Sequence, residues 1–176
     1  LREQELSAEL LEALKEEQIK IYLQPQVVSD GSVPGAEVLV RWEHPERGLL
    51  MPSSFVEMFE RNGMIAKLDQ YVWEQACRQL QKWERCGHGD IYLSVNISPK
   101  DFYYLDIYKI FTELIGKYKI APSNLKLEIT ETTVMENLEE QLALIKRLRA
   151  AGFIVEMDDF GSGYSSLNML KDICVD

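Results

Sequence analysis

Histidine, cysteine and positive charge are all scarce in this chain, and each shortage removes a class of function. There are two histidines and three cysteines in 176 residues. Cys77, Cys86 and Cys174 lack metal-ligand spacing, His44 stands in a His-Pro turn and His88 in a glycine-flanked loop, both expected to be solvated. A zinc centre therefore has no ligand set. Three unpatterned cysteines read instead as reduced, packed thiols of a cytoplasmic protein. Lys and Arg total 19 against 29 Asp and Glu, a net charge of −10. Binding to a nucleic-acid polymer needs a basic face that displaces counterions, so that partner is excluded. A small phosphate compound is not, because metal ions and one arginine can offset its charge. No apolar run approaches the roughly 18 residues of a membrane-crossing helix, and no leader peptide is visible. This segment is expected to make no membrane contact. Its first residue is Leu rather than Met, as in a piece of a longer product.

The apolar fraction of 46% is enough for one domain with a core. Leu6, Leu10, Leu11 and Leu14 recur at helical spacing, predicting an amphipathic helix over Glu3–Glu17. Residues 1–18 then read as a connector helix and 19–176 as the domain proper. Strands are predicted at Lys20–Gln26 and Gly35–Trp42, joined through Ser29-Asp30-Gly31-Ser32 as an antiparallel hairpin. Helices at Pro52–Asn62 and Leu68–Arg85 precede strand Ile91–Asn96. Helix Ile107–Lys117 precedes strand Leu125–Thr130, and helix Leu138–Ala150 precedes strand Ile154–Asp158. Such alternation predicts an α/β fold with a parallel sheet.

Each strand has one apolar and one polar face, since side chains alternate along it. The polar positions include Gln24, Gln26, Glu37, Arg41, Tyr92, Ser94, Asn96, Lys126, Glu128, Thr130, Glu156 and Asp158. In an open sheet that face would meet water. In a closed (β/α) barrel it would be the interior, a place usually filled with branched apolar residues, and its polarity would mark a site. The direction of the sheet favours the barrel.

Chemistry concentrates at the strand ends. Asn96, Glu128 and Asp158 lie 32 and 30 positions apart, close to one β-α-β step, so they occupy equivalent places at the carboxyl ends of successive strands. Glu37 shares the polar face of the hairpin strand. Three carboxylates and one amide oxygen are hard ligands suited to Mg²⁺ or Mn²⁺, and Asp159 offers a carboxylate for a second ion. Directly after them, Gly161-Ser162-Gly163 gives a turn that a ligand can approach closely. Asp-Phe-Gly without a His-Arg-Asp loop is no kinase motif, and Gly-Ser-Gly without a following Lys-Ser/Thr is no P-loop.

The ordered motifs resemble the EAL domain family, bacterial phosphodiesterases that open cyclic di-GMP to linear pGpG. The signature stands here as Glu37-Val38-Leu39, followed by Val40-Arg41-Trp42 and His44-Pro45-Glu46-Arg47-Gly48. Gln24-Pro25, Asn96-Ile97-Ser98, Glu128-Ile129-Thr130-Glu131 and Asp158-Asp159-Phe160-Gly161-Ser162-Gly163-Tyr164-Ser165-Ser166-Leu167 match the remaining motifs, with Ser162 for Thr. The resemblance implies a TIM-like (β/α)₈ barrel, of which about five of eight strands lie in this chain. It implies Glu37, Asn96, Glu128, Asp158 and Asp159 as ligands of Mg²⁺ or Mn²⁺, with Glu37, Asp158 and Asp159 central to catalysis. Gln24, Leu39 and Arg41 would contact the dinucleotide, Arg41 through a phosphate. Val38 for the family's Ala adds two methyl groups on the apolar face, a packing adjustment.

A full barrel is about one and a half times this length, and a lysine that the family carries on its next strand lies beyond Asp176. The 176-residue chain alone is therefore expected to be inactive, to associate through an open barrel edge, and to belong to a product fused to other signalling domains. A non-catalytic module that binds cyclic di-GMP without cutting it is the alternative. Degenerate domains of that kind usually lose metal ligands, whereas this chain keeps all that it spans. A metal-dependent barrel enzyme of the enolase type would also use acids at strand ends. It would not bring Gln24-Pro25 and Ser165-Ser166 with them.

Overall fold

The computed structural model describes residues 2–130, 133–134 and 137–158, with side chains from residue 8 onward. Helix α1 (Arg2–Lys15) leads into the antiparallel pair β1 (Ile19–Gln26) and β2 (Gly35–His44), and the short β3 (Gly48–Leu50) folds back on β2. Then come α2 (Val56–Asn62), α3 (Ile65–Arg85), β4 (Tyr92–Asn96), the single turn α4 (Asp101–Tyr104), α5 (Ile107–Tyr118), β5 (Leu125–Thr130), α6 (Leu138–Ala150) and β6 (Ile154–Asp158). The sheet order is β1-β2-β4-β5-β6, with every pairing after the first parallel. Each crossover adds one strand to the same side. This is the succession of a (β/α) barrel and the α/β class that the alternation predicts.

The apolar strand face is the core face. Ala36, Val38, Leu93, Val95, Leu125, Leu127, Ile129, Phe153 and Val155 are all buried. Helix α3 meets them with Ile65, Leu68, Val72, Trp73, Ala76, Cys77 and Leu80, spaced three, four or one apart so that they form one stripe. Trp73, Phe111 of α5 and Phe153 stack in a row behind the sheet, with ring centroids 4.7 and 6.0 Å apart. The Asp106 side chain caps α5 by accepting from Lys109 N–H at 3.0 Å, satisfying one of the donors that a helix start leaves unpaired.

Several expectations shift. Strand β2 continues past Trp42 to His44 because β3 pairs with it and Glu43 N–H donates to Gln18 O at 2.8 Å. The described sheet thus has six strands, the sixth being three residues long. His44 is not solvated. It is 7% exposed, and its Nδ1 accepts from the backbone N–H groups of Glu46 and Arg47 at 3.2 and 3.3 Å. That fixes the proton on Nε2, which donates to Glu9 Oε2 at 2.9 Å. Arg47 reaches the same carboxylate at 3.2 Å, so α1 is tied to the β2–β3 turn, with Leu10 and Ala13 buried beneath it. Cys77 is packed and its thiol is pushed up to about 12 by burial. Cys86 is exposed, contrary to expectation, because it follows the last turn of α3; Cys174 lies outside the described residues. Among the described residues, no helix is long and apolar enough to cross a membrane.

Candidate active site

Strand register sets the predicted ligands in a row. Asn96 is paired with Glu128. Glu37 is level with Ser94, two residues earlier on β4, and Asp158 is level with Thr130, two residues later on β5. From Glu37 to Asp158 the row climbs four residues, about 13 Å at 3.3 Å each. It crosses three inter-strand gaps, about 14 Å in all. The slope is about 42°, within the roughly 35–45° by which strands tilt in a barrel. A row inclined by the strand tilt is a ring at constant height around the barrel axis. The polar face is therefore an interior, and its acids stand at one level of it.

The ring is already connected. Asn96 Nδ2 donates to Glu37 Oε1 at 3.0 Å, while its backbone oxygen is held by Trp73 Nε1 at 3.0 Å. The core tryptophan thus fixes the strand end that presents Asn96. Glu128 is 8% exposed. Burial raises its pKa above the ordinary value, the Ser94 hydroxyl opposes this, and the charges of Glu37, Asp158 and Glu156 raise it further. Crowding of this kind is what a divalent cation relieves, and the donors are the hard oxygens that Mg²⁺ or Mn²⁺ takes. The donor set fits such an ion. Among the described residues, no three acidic, histidine or cysteine side chains lie close enough to enclose one as they stand. Asp159, the fifth predicted ligand, lies outside the described residues, as do Glu131 and the Gly161–Leu167 motif.

Gln24 is paired with Glu37, and Leu39 and Arg41 follow along the same face of β2. The Arg41 guanidinium lies 5.7 Å from the Tyr22 ring centroid and donates to Val40 O at 2.7 Å. A cavity of about 300 Å³ opens beside this row, between α2, α3 and the ends of β2 and β4, and its lining includes Leu39, Asn96, Ser98, Glu60 and Asp69. Four of the five predicted ligands and all three predicted contact residues thus share one face. Sequence reasoning assigned no role to the polar side chains below the ring: Gln26, Ser94, Lys126 and Glu156 one step down, and Tyr92 two. Their alternation was visible; their mutual contacts depend on register.

The EAL domain family model matches residues 7–176. The chain belongs to the EAL domain family. It is 36% identical over 168 residues to the bifunctional diguanylate cyclase/cyclic di-GMP phosphodiesterase MucR of Pseudomonas aeruginosa, covering 95% of this chain and 24% of MucR. It is 36% identical over 176 residues to the cyclic di-GMP phosphodiesterase NbdA of the same organism, covering 99% of this chain and 22% of NbdA. The solved MucR phosphodiesterase in complex with c-di-GMP superimposes with a TM-score of 0.92 at 35% identity, covering 98% of this chain and 70% of that one. This EAL chain therefore spans about a quarter of the length of the curated relatives it matches.

Proposed function

We propose that this chain is the EAL part of a metal-dependent phosphodiesterase that hydrolyses cyclic di-GMP to linear pGpG. One observation carries the reading: a ring of hard oxygen donors at barrel height, Glu37, Asn96, Glu128 and Asp158, retained in a chain whose similar relatives are named cyclic di-GMP phosphodiesterases. Asp159 completes the set in this proposal, and Mg²⁺ or Mn²⁺ is the ion. Bound divalent ions would supply an acidified water and charge stabilisation at phosphorus. Glu37, Asp158 and Asp159 hold the charge at the reacting centre. Arg41 meets a phosphate oxygen with a charge-assisted hydrogen bond, Gln24 offers its amide beside Glu37, and Leu39 gives an apolar contact at the cavity.

The same proposal covers what surrounds the site. Residues 19–176 form the EAL unit behind a connector helix, in a cytoplasmic protein that carries further signalling domains. Strand β6, paired on one side only among the described residues, is an edge that supports self-association. The test is conversion of cyclic di-GMP to pGpG with Mg²⁺ or Mn²⁺, comparing this chain with the full natural product. Turnover by the full product and little by the 176 residues is expected. Tight binding without turnover by the full product would replace the enzyme with a binding module.

A further inference from the structure

Beneath the ligand ring runs a second row of polar side chains, linked from β1 to β6. Gln26 Nε2 donates to Ser94 Oγ at 3.4 Å, and Tyr92 Oη donates to Gln26 Oε1 at 2.8 Å. The Tyr92 ring lies across Gly35, its partner in the β2–β4 register, where a Cβ would collide with the ring. That glycine makes room for the ring to reach inward. Lys126 Nζ sits 3.8 Å from the Tyr92 ring centroid and 2.7 Å from Glu156 Oε1. The lysine side chain is 15% exposed and that of Glu156 34%. Lys126 is therefore a desolvated cation held from two sides, by a ring face and by a carboxylate.

The position of Glu156 gives this arrangement its meaning. Glu156 is the register partner of Glu128, so their side chains leave the same face of adjacent strands, about 5 Å apart at Cβ. It precedes Asp158 by one step on that face. An unpaired Glu156 would be a further hard donor beside the ion site. Lys126, one step below Glu128, draws the Glu156 carboxylate down toward the floor.

We propose that Lys126 is a positioning residue: clamped between Tyr92 and Glu156, it keeps Glu156 out of the ion's ligand set and cancels its charge beneath the site. The inference rests on the ion-binding reading of the Glu37–Asp158 ring. Its distinctive consequence is one of sign. With the pair intact, the floor is neutral. Glu156→Gln leaves the lysine charge about 7 Å below the ion, two residues along the strand. Even at the dielectric of water, a unit charge at that distance acts on a divalent ion by about tenfold in affinity. Lys126→Met leaves the opposite charge, together with a released carboxylate.

The experiment is Mn²⁺ titration of the full natural chain by calorimetry, with the electron paramagnetic resonance spectrum of bound Mn²⁺ as a second readout. Glu156→Gln is expected to weaken Mn²⁺ by about tenfold, and Lys126→Met to tighten it and alter the spectrum as a carboxylate enters the shell. The double variant should return to within about threefold of the parent. Glu156→Asp, which keeps the charge, should stay near the parent, and it carries the test if Lys126→Met fails to fold. Weakening by both single variants, or equal effects of Gln and Asp at 156, would mean a packing role and overturn the proposal. Absence of Mn²⁺ binding by the parent would overturn the ion-site reading itself, and this inference with it.

Discussion

Two groups of acids sit within this molecule, and they resolve like-charge crowding by opposite means. In the barrel interior, Glu37, Glu128, Glu156 and Asp158 share one face, with Asn96 Nδ2 on Glu37 and Lys126 on Glu156. Near the cavity, Glu60 of α2, Asp69 of α3 and Asp101 of α4 meet, and on top of burial the charge of Glu60 raises both aspartates. Ser98 Oγ donates to Glu60 at 2.9 Å, and Ser98 N–H donates to Asp101 Oδ2 at 3.0 Å. Asp101 is fully buried, and its Oδ1 has no N–H or hydroxyl partner. A proton shared between Asp69 and Asp101 would satisfy it. Burial and the neighbouring Asp101 hold Asp69 well above the usual carboxylate range. Burial pushes Asp101 up to about 6. The first group gathers hard oxygen donors and suits a cation; the second gains from a shared proton and suits a joint between helices.

The largest effect that separates the groups belongs to Glu128. Its replacement by Ala removes a near-buried ring donor and is expected to lower turnover by the full product at least about 10²–10⁴-fold, the scale of losing one positioned catalytic group. Mn²⁺ affinity should fall with it. Asp69→Asn should leave Mn²⁺ affinity unchanged. Calorimetry on both variants checks the division, and equal loss in both would merge the two groups into one site.

Trp73→Ala tests how the core reaches the ring. The variant loses the stack on Phe111 and the hydrogen bond to Asn96 O, at a cost of about 3–5 kcal/mol in unfolding free energy by urea denaturation. A stability loss under about 1 kcal/mol would show that the indole is not what holds the end of β4. Smaller again is Arg41→Ala. Removing one charge-assisted phosphate contact should weaken cyclic di-GMP binding by about 1.5–3 kcal/mol while Mn²⁺ affinity stays put, both read by titration.

How much of this was legible beforehand follows from the range over which each signal is written. The α/β alternation, the apolar strand face and the places of Asn96, Glu128 and Asp158 are period-two and one-repeat patterns, carried by residues near each other in sequence. Their common height in the barrel follows from register alone. The burial of His44 was not legible, because its partner Glu9 is 35 residues away on α1 and the His-Pro dipeptide resembles an ordinary turn. The Lys126–Glu156 pair was visible only as two polar positions, since their contact needs two side chains to bend toward each other across a register. Asp69 reads as a polar residue on an amphipathic helix, and α4, one turn long, has too little periodicity to announce itself. What brings Asp101 to Asp69 is the packing of two helices on the end of β4.

The Asp69–Asp101 pair gives the smallest and most discriminating prediction, because its sign is set by the proton. Both carboxyls titrate from 3.8 when unperturbed and are raised in the fold, Asp101 to about 6 and Asp69 in the same direction. Between those limits the native state binds more protons than the unfolded chain, so stability falls as pH rises. The stabilisation from the pair is whole below about pH 3.8 and is lost as pH rises through about 6 and above, a decline of about 1–3 kcal/mol for Asp101 alone. Asp69→Asn places an amide donor against Asp101 without needing a proton. It should flatten this decline and raise the unfolding free energy at pH 8 by about 1 kcal/mol relative to the parent. Urea denaturation from pH 4 to 8 reads the difference. Parallel curves for parent and variant would mean that no proton is held between these acids, and the contrast with the interior ring would then rest on cations alone.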